Sequence, residues 1–257
     1  MSGCAGCSSC GSGDITLAID IGNSSITIGL LRCGQIFYKT IVATKSANRD
    51  FKKTIDFIKR RAAFGFSAAV ISVVPNLDKK IKSDLKKFGI KTKFLACKDI
   101  NVKIKCEDPK SVGMDRIVNA YAVHQIYKEP AIVVDCGTAT TFDIVSAKGE
   151  YLGGAIAPGM QMGMQALAEK CAKLGLFEID IPKSIIGKNT KEALQSGVVF
   201  GQIAMITGMV ERMKSELKFN PKIIGTGGFI NFISKGTIIF DDVDPDLTLK
   251  GIGLARH

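Results

Sequence analysis

The stretch that most constrains this chain is Asp20-Ile21-Gly22-Asn23-Ser24-Ser25. An apolar run from Ile15 to Ile19 leads into it, and the alternating run Ile26-Thr27-Ile28-Gly29-Leu30 leads out. The pattern predicts strand, tight turn, strand: a hairpin whose turn carries a carboxylate, a glycine and three small polar side chains. The arrangement returns later. Ala131 to Val134 leads into Asp135-Cys136-Gly137-Thr138-Ala139-Thr140-Thr141, and Phe142-Asp143-Ile144-Val145 leads out. Two copies of Asp-x-Gly-(Asn/Thr)-x-(Ser/Thr) after apolar strands point to an ancient duplication. A glycine lets backbone N–H groups approach a phosphate closely, and hydroxyls can donate to its oxygens. An aspartate cannot bind phosphate directly; it holds a cation or receives a proton beside it. Two such turns facing each other would make a nucleotide clamp.

The 257 residues, 46% of them hydrophobic, suffice for two modest cores. No apolar run is expected to be long enough to span a bilayer and no segment has the layout of a signal peptide, so a cytoplasmic protein with no membrane partner is expected. The net charge of +11 favours acidic partners, nucleotides included. The lysines lie mostly on the solvent side of amphipathic helices with few aromatics among them, a solvated face rather than a nucleic-acid surface. Of eight cysteines, Cys33, Cys97, Cys106, Cys136 and Cys171 are scattered and read as reduced, mostly buried thiols. Cys4, Cys7 and Cys10 form a C-x2-C-x2-C run within a Gly/Ser/Cys-rich head, residues 1–13, expected to be disordered by itself. A metal or iron–sulfur set is one reading of that run, but no fourth thiolate or histidine is nearby; a flexible leader is the preferred one.

The order after the first hairpin reads β-β-β-α-β-α-β, a mixed sheet with helices against it. Gln35 to Ala43 is the third strand; Phe51, Ile55, Ile58 and Ala62 fall at helical spacing; Ala68 to Val74 is a buried strand; Leu77, Ile81, Leu85 and Phe88 make a second helix face; Ile90 to Ala96 is a further strand. The loop Glu107 to Arg116 then opens a helix running to about Lys128. Asp115 sits at its start, where an N-cap is the commoner role for an aspartate. A carboxylate and the Arg116 guanidinium side by side at a helix mouth also suit a hydroxyl-bearing anionic substrate. His124 reads as a packed helix residue. In the second half, Pro158-Gly159 opens a helix through about Leu174 whose methionines, Met160, Met162 and Met164, read as core or interface filler. Asn189-Thr190-Lys191-Glu192 resembles a capping box, and a long helix follows to about Leu217, with Gly197, Gly201 and Gly208 expected to mark tight packing. Gly225-Thr226-Gly227-Gly228 is a third glycine-rich turn after a buried strand, suited to the flat face or phosphates of a nucleotide. An apolar helix through Leu254 closes the chain. There is no P-loop, no H-E-x-x-H and no G-x-S-x-G, and the dinucleotide fingerprint lacks its last glycine.

The Asp20 turn, Gly113-Met114-Asp115-Arg116, Asp135-Cys-Gly-Thr-Ala-Thr-Thr and Gly187-Lys-Asn-Thr190 occur in the order seen in type III pantothenate kinases, and the resemblance runs from Ile15 to the C-terminus. It implies the acetate and sugar kinase/Hsc70/actin superfamily: an α/β fold of two ribonuclease-H-like domains, residues 14–128 and 129–257, with the nucleotide in the interdomain cleft. It implies ATP-dependent phosphorylation of pantothenate, the first step towards coenzyme A, by a homodimer that uses magnesium and a monovalent cation, potassium or ammonium. By position, Asp20, Ile21, Gly22, Asn23, Ser24, Ser25, Ile26 and Thr27 would surround the ATP phosphates, with Thr138 from the second domain. Gly113, Met114, Asp115, Arg116 and Thr190 would hold pantothenate, Asp115 would be the general base, and Asp135 would hold the monovalent cation. Two positions depart from the family pattern: Ser24 stands where threonine is usual, and Cys106 where many members carry a tyrosine that touches substrate. The alternatives are another small-molecule kinase of the same superfamily and a non-catalytic regulatory accessory factor.

Overall fold

The structure, a computed structural model, describes residues 15–62, 65–170 and 178–256. The Cys4/Cys7/Cys10 head, Cys171 and the expected end of the helix near Leu174 lie outside these residues. In chain order the first elements are β1 (Ile15–Ile21), β2 (Ser25–Arg32), β3 (Gln35–Ala43), α1 (Ala47–Arg61), β4 (Phe66–Ser72), α2 (Pro75–Lys87), β5 (Thr92–Phe94) and α3 (Met114–Tyr127). They are followed by β6 (Ala131–Cys136), β7 (Ala139–Val145), β8 (Tyr151–Pro158), α4 (Met160–Lys170), α5 (Thr190–Glu216), β9 (Lys222–Thr226), α6 (Ile230–Ile233), β10 (Asp242–Val243) and α7 (Leu247–Leu254).

The chain divides into two compact units. One comprises the residues up to 102, 110–122 and 246–257; the other comprises 103–109 and 123–245. Beside a single division after residue 128, these units differ in three places: 103–109 and the end of α3 from residue 123 fall in the second unit, and α7 falls in the first. The return has a packing cause. Leu247, Leu249 and Ile252 are buried, each such burial being worth about 1.5–3 kcal/mol, and α7 lies on β1 and β2. Gly29 and Gly251 make room for it: a Cβ on Gly29 would stand 2.9 Å from Leu249 Cδ1, and one on Gly251 2.7 Å from the Val118 carbonyl oxygen.

The sheet of the first unit has the order β3-β2-β1-β4-β5. β1 pairs antiparallel with β2 and parallel with β4, β2 pairs antiparallel with β3, and β4 pairs parallel with β5. Cys33 and Gly34 both take positive φ, 50° and 74°, as a two-residue turn joining β2 to β3 requires. Phe51, Ile55 and Ile58 of α1 and Ile81 and Leu85 of α2 are buried in the core beneath this sheet, while the lysines of both helices lie on the other side.

The sheet of the second unit has the order β10-β9-β6-β7-β8. With β6 to β10 set against β1 to β5 the two orders coincide, as do the senses of pairing; only the fifth strand attaches after a different connection. Even an irregularity repeats. A bulge separates Leu30 from Leu31, and another separates Ile144 from Val145. Each lies three to four positions past the residue that pairs with the turn aspartate, Thr27 or Thr141. Chance does not place a bulge twice in the same register of two hairpins, so the duplication expected from the sequence extends to the whole sheet.

Several local expectations shift. Burial of Cys33 and Cys97 is corrected, since both are exposed, one in a hairpin turn and one in a short 3-10 turn; among the described cysteines only Cys136 is fully buried. The expectation that no apolar run is long enough to span a bilayer is corrected by α5, which is long and apolar enough to cross a membrane by length and composition. Its Val198, Val199, Ile203, Ile206 and Val210 sit in the core of the second unit, and the core helix of a folded domain meets the same criterion. Gly197, Gly201 and Gly208 do not mark tight packing: a Cβ on any of them would meet nothing within 4 Å.

Candidate active site

In the first unit the Asp20 turn forms at the end of β1. Asp20 pairs with Thr27 and Ile21 with Ile26, leaving Gly22 to Ser25 as the connection. The Gly22 N–H donates to the Ser25 carbonyl at 2.9 Å. Thr44, at the far end of β3, clamps the turn, its hydroxyl donating to the Gly22 carbonyl at 2.7 Å and its N–H to the Ser24 carbonyl at 3.0 Å. Asn23 and Ser24 are exposed, and Asp20, Ser25 and Thr27 are half-buried. The turn is thus rigid in backbone and open on its polar side.

The Gly113–Arg116 motif reaches the same end of the same sheet. The Val73 N–H donates to the Ile21 carbonyl at 3.0 Å, carrying the chain past the end of β4. A Cβ on Gly113 would lie 4.0 Å from Val73 and 2.4 Å from Asp115 Oδ1. The Ile117 N–H donates to the Gly113 carbonyl at 3.2 Å, so α3 starts from Gly113. Asp115 is therefore inside the first turn and not the N-cap; its Oδ1 accepts the Arg116 N–H at 2.9 Å. Asp115 and Arg116 are both half-buried. The ends of two parallel strands and the mouth of a helix thus bring the Asp20 turn and the Gly113–Arg116 segment to one end of one sheet, the end where open α/β sheets bind ligands.

In the second unit the Asp135 turn is one residue shorter. Cys136 pairs with Thr140, and the Gly137 N–H donates to the Ala139 carbonyl at 3.0 Å. Gly159 presses on it: its N–H donates to the Thr138 carbonyl at 3.1 Å, and a Cβ there would fall 2.4 Å from that oxygen. Gly227, with φ +95°, lies against Asp135 so closely that a Cβ would come 2.3 Å from Oδ1. Gln202 of α5 donates to the Thr140 hydroxyl at 2.7 Å in a buried contact. Burial first, then the Asp135 charge, raises the Cys136 thiol far above its ordinary range, so it stays protonated and unreactive. Pro158-Gly159 reads in the sequence as a helix start and Gly225-Thr226-Gly227-Gly228 as a turn suited to a nucleotide; neither pattern says that Gly159 and Gly227 pack on the Asp135 turn.

Thr190 stands apart from that turn. It is exposed in the first turn of α5. Twelve residues separate it from Gln202, about 18 Å along a helix. The expected cap is present, with the Glu192 N–H donating to Asn189 Oδ1 at 3.0 Å, but the Glu192 carboxylate returns to the Lys188 N–H at 2.8 Å, one residue earlier than a capping box. Gly187 is held tightly here, since a Cβ would lie 2.3 Å from the Ala193 nitrogen. Cys106 is half-buried, its sulfur 3.8 Å from a Cβ built on Gly153. The His124 ring packs against Gly149, as expected of a helix residue.

Among the described residues no three His, Cys, Asp or Glu side chains gather as a metal-ligand cluster. Single carboxylates beside hydroxyls and backbone suit oxygen-bound cations shared with phosphate and water.

The family model for Type III pantothenate kinase matches residues 16–212. A type III pantothenate kinase of Persephonella marina is 41% identical over 249 residues, covering 92% of this chain and 96% of that one. One from Dehalococcoides mccartyi strain CBDB1 is 39% identical over 244 residues, covering 92% and 93%. Among solved structures, the ethanolamine utilization protein EutJ of Carboxydothermus hydrogenoformans aligns with a TM-score of 0.60 at 15% identity, covering 95% of this chain and 90% of that one. The MreB 5 protein of Spiroplasma citri aligns with a TM-score of 0.50 at 10% identity, covering 95% and 96%. At such identities these two bear on the fold alone, and they agree with a pair of ribonuclease-H-like domains. With the duplicated sheets, the ordered motifs and the match across most of its length, the chain belongs to the type III pantothenate kinase family, enzymes that phosphorylate pantothenate in coenzyme A biosynthesis.

Proposed function

We propose that this chain transfers the terminal phosphoryl group of ATP directly to the primary hydroxyl of pantothenate, with Asp115 as the general base. The observation that carries this is the placement of the Asp20 turn and of Asp115 at one end of one sheet, linked through Val73. Phosphoryl transfer needs alignment and charge neutralisation more than covalent help. Asp20, Ile21, Gly22, Asn23, Ser24, Ser25, Ile26 and Thr27 bind the ATP phosphates, with Thr138 contributing from the second unit. Gly113, Met114, Asp115, Arg116 and Thr190 bind pantothenate, Arg116 meeting its carboxylate. Asp115 orients the hydroxyl and accepts its proton late. The N-terminal end of α3 favours negative charge, which suits both the Asp115 carboxylate and an anionic substrate.

Asp20 would hold hydrated magnesium and Asp135 would hold potassium or ammonium, and when bound the ions would supply charge neutralisation around the transferring group. The donor chemistry fits: one carboxylate at each turn, with hydroxyls and backbone around it. The enzyme acts in the cytoplasm. The test is ATP consumption by the purified protein with pantothenate, beside a panel of sugars and hydroxy acids. Turnover with pantothenate well above every other alcohol is expected. A preference for another alcohol would leave only the superfamily, and no turnover with any would favour the accessory-factor reading.

The chain acts as a homodimer. Support comes from the second unit, where a Cβ on Gly197, Gly201 or Gly208 of α5 would meet nothing within 4 Å. A groove of about 430 Å³ between α4 and α5 runs along Gly163, Ala166, Gly197 and Gly201, and Ile185 and Ile186 are 68% and 75% exposed. Open glycine positions on an apolar helix let a second backbone approach closely. Gly201→Glu is expected to give monomer in sedimentation while keeping helix content, because Glu favours a helix by up to about 1 kcal/mol over Gly. An unchanged dimer would place the interface elsewhere.

A further inference from the structure

The two turns differ at one position that the duplication makes comparable. In each sheet the turn aspartate has a parallel neighbour on the strand that follows the crossover. For Asp20 that neighbour is Ile71, and for Asp135 it is Thr226. Residues paired across parallel strands project to the same face of the sheet. Ile71 is an ordinary core residue, 1% exposed. Thr226 is 0% exposed, and its hydroxyl oxygen makes no hydrogen bond in the described structure. A buried hydroxyl without a partner is disfavoured, and valine would fill the same space without that cost. An unmatched hydroxyl beside a carboxylate, on the side of the duplication that carries the cation, signals a ligand.

We propose that the Thr226 hydroxyl is a direct ligand of the monovalent cation held by Asp135, and that it sets the affinity of that site. The proposal rests on the reading of Asp135 as a cation site given above. Gly227 brings its backbone against Asp135 Oδ1 and leaves no room there for a Cβ; this holds the carboxylate beside the strand that carries Thr226. One carboxylate plus neutral protein oxygens suits a large, weakly hydrated monovalent ion, whereas magnesium draws its further charged ligands from phosphate. Asp20 has no counterpart to this hydroxyl on its parallel neighbour, since Ile71 occupies the place.

The test is thallous-ion binding by the whole purified protein, measured by calorimetry without nucleotide, with potassium as competitor. Melting temperature in a buffer free of potassium and ammonium is the second readout. The wild type is expected to bind one thallous ion displaced by potassium. Thr226→Val should bind it on the order of tenfold more weakly, Thr226→Ser close to the wild type, and Asp135→Asn not measurably. In the cation-free buffer Thr226→Val should melt at or above the wild type, because it removes an unpartnered hydroxyl. Wild-type affinity in Thr226→Val alongside lost binding in Asp135→Asn would remove Thr226 from the site and leave the Asp135 reading standing. Failure of the wild type itself to bind would overturn the Asp135 reading, and Thr226 with it. A lower melting temperature for Thr226→Val without cation would mean that the hydroxyl serves the fold, and would also overturn the proposal.

Discussion

Asp115→Asn is expected to lower kcat by about 10²–10⁴-fold while leaving ATP affinity within about threefold, a free-energy change below about 0.7 kcal/mol. The substitution is informative because it separates two roles of one side chain. Asparagine keeps an oxygen at the same place, so the contact with the Arg116 N–H at 2.9 Å can persist. The start of α3 at Gly113 can persist with it. What is lost is a group able to take the hydroxyl proton. The favourable placement of a negative charge near a helix N-terminus is lost as well, worth typically about 0.3–1 kcal/mol. The melting temperature should therefore move by a few degrees at most while turnover collapses. Steady-state rates with saturating ATP and pantothenate, nucleotide titration and a melting curve together read all three quantities. If turnover stayed near normal, Asp115 would be a helix-end residue and the base would have to be sought elsewhere.

The turns were legible in the sequence because their signals are local. An apolar run, then Asp-x-Gly and small polar residues, then alternation, specifies a hairpin within about fifteen positions, and both predicted hairpins are present. β3 begins and ends as the alternation of Gln35 to Ala43 indicates. Helix faces such as Phe51, Ile55 and Ile58 were legible for the same reason. What could not be read depends on partners far along the chain. β10 has two residues and exists only because Asp242 and Val243 pair with Ile224 and Gly225. α7 was visible as a helix, but its return to the first unit is decided by the space above Gly29 and Gly251. Thr226 reads in the sequence as part of a glycine-rich turn, and only the structure shows it as the last residue of β9, paired with Asp135. The glycines of α5 show a deeper ambiguity. A glycine in a helix marks close approach of another backbone, but it does not say whether that backbone belongs to the same chain.

Gly227→Ala is expected to destabilise the protein by about 2–6 kcal/mol, the sum of backbone strain and overpacking at about 1–3 kcal/mol each. Two independent features of the position lead to this. Its φ of +95° lies where an L side chain is strained. A methyl group there would also fall 2.3 Å from Asp135 Oδ1 and 2.7 Å from the Cys136 nitrogen and carbonyl carbon. The carboxylate could swing aside, but the Cys136 backbone is held by its pairing with Thr140 of β7 and by the Phe229 N–H, which donates to its carbonyl at 2.9 Å, so relief requires moving the turn itself. Against a typical total stability of about 5–15 kcal/mol, such a loss is large. Gly228→Ala supplies the control. Gly228 is exposed, has no positive φ, and a Cβ there meets nothing within 4 Å, so its stability should stay within about 1 kcal/mol of the wild type. Urea unfolding midpoints of the three proteins read the difference directly. Unfolding of Gly227→Ala at the wild-type midpoint would show that the turn yields easily. A turn that yields could not hold Asp135 in one place, and the close packing of Gly227 on that carboxylate would then have no bearing on function.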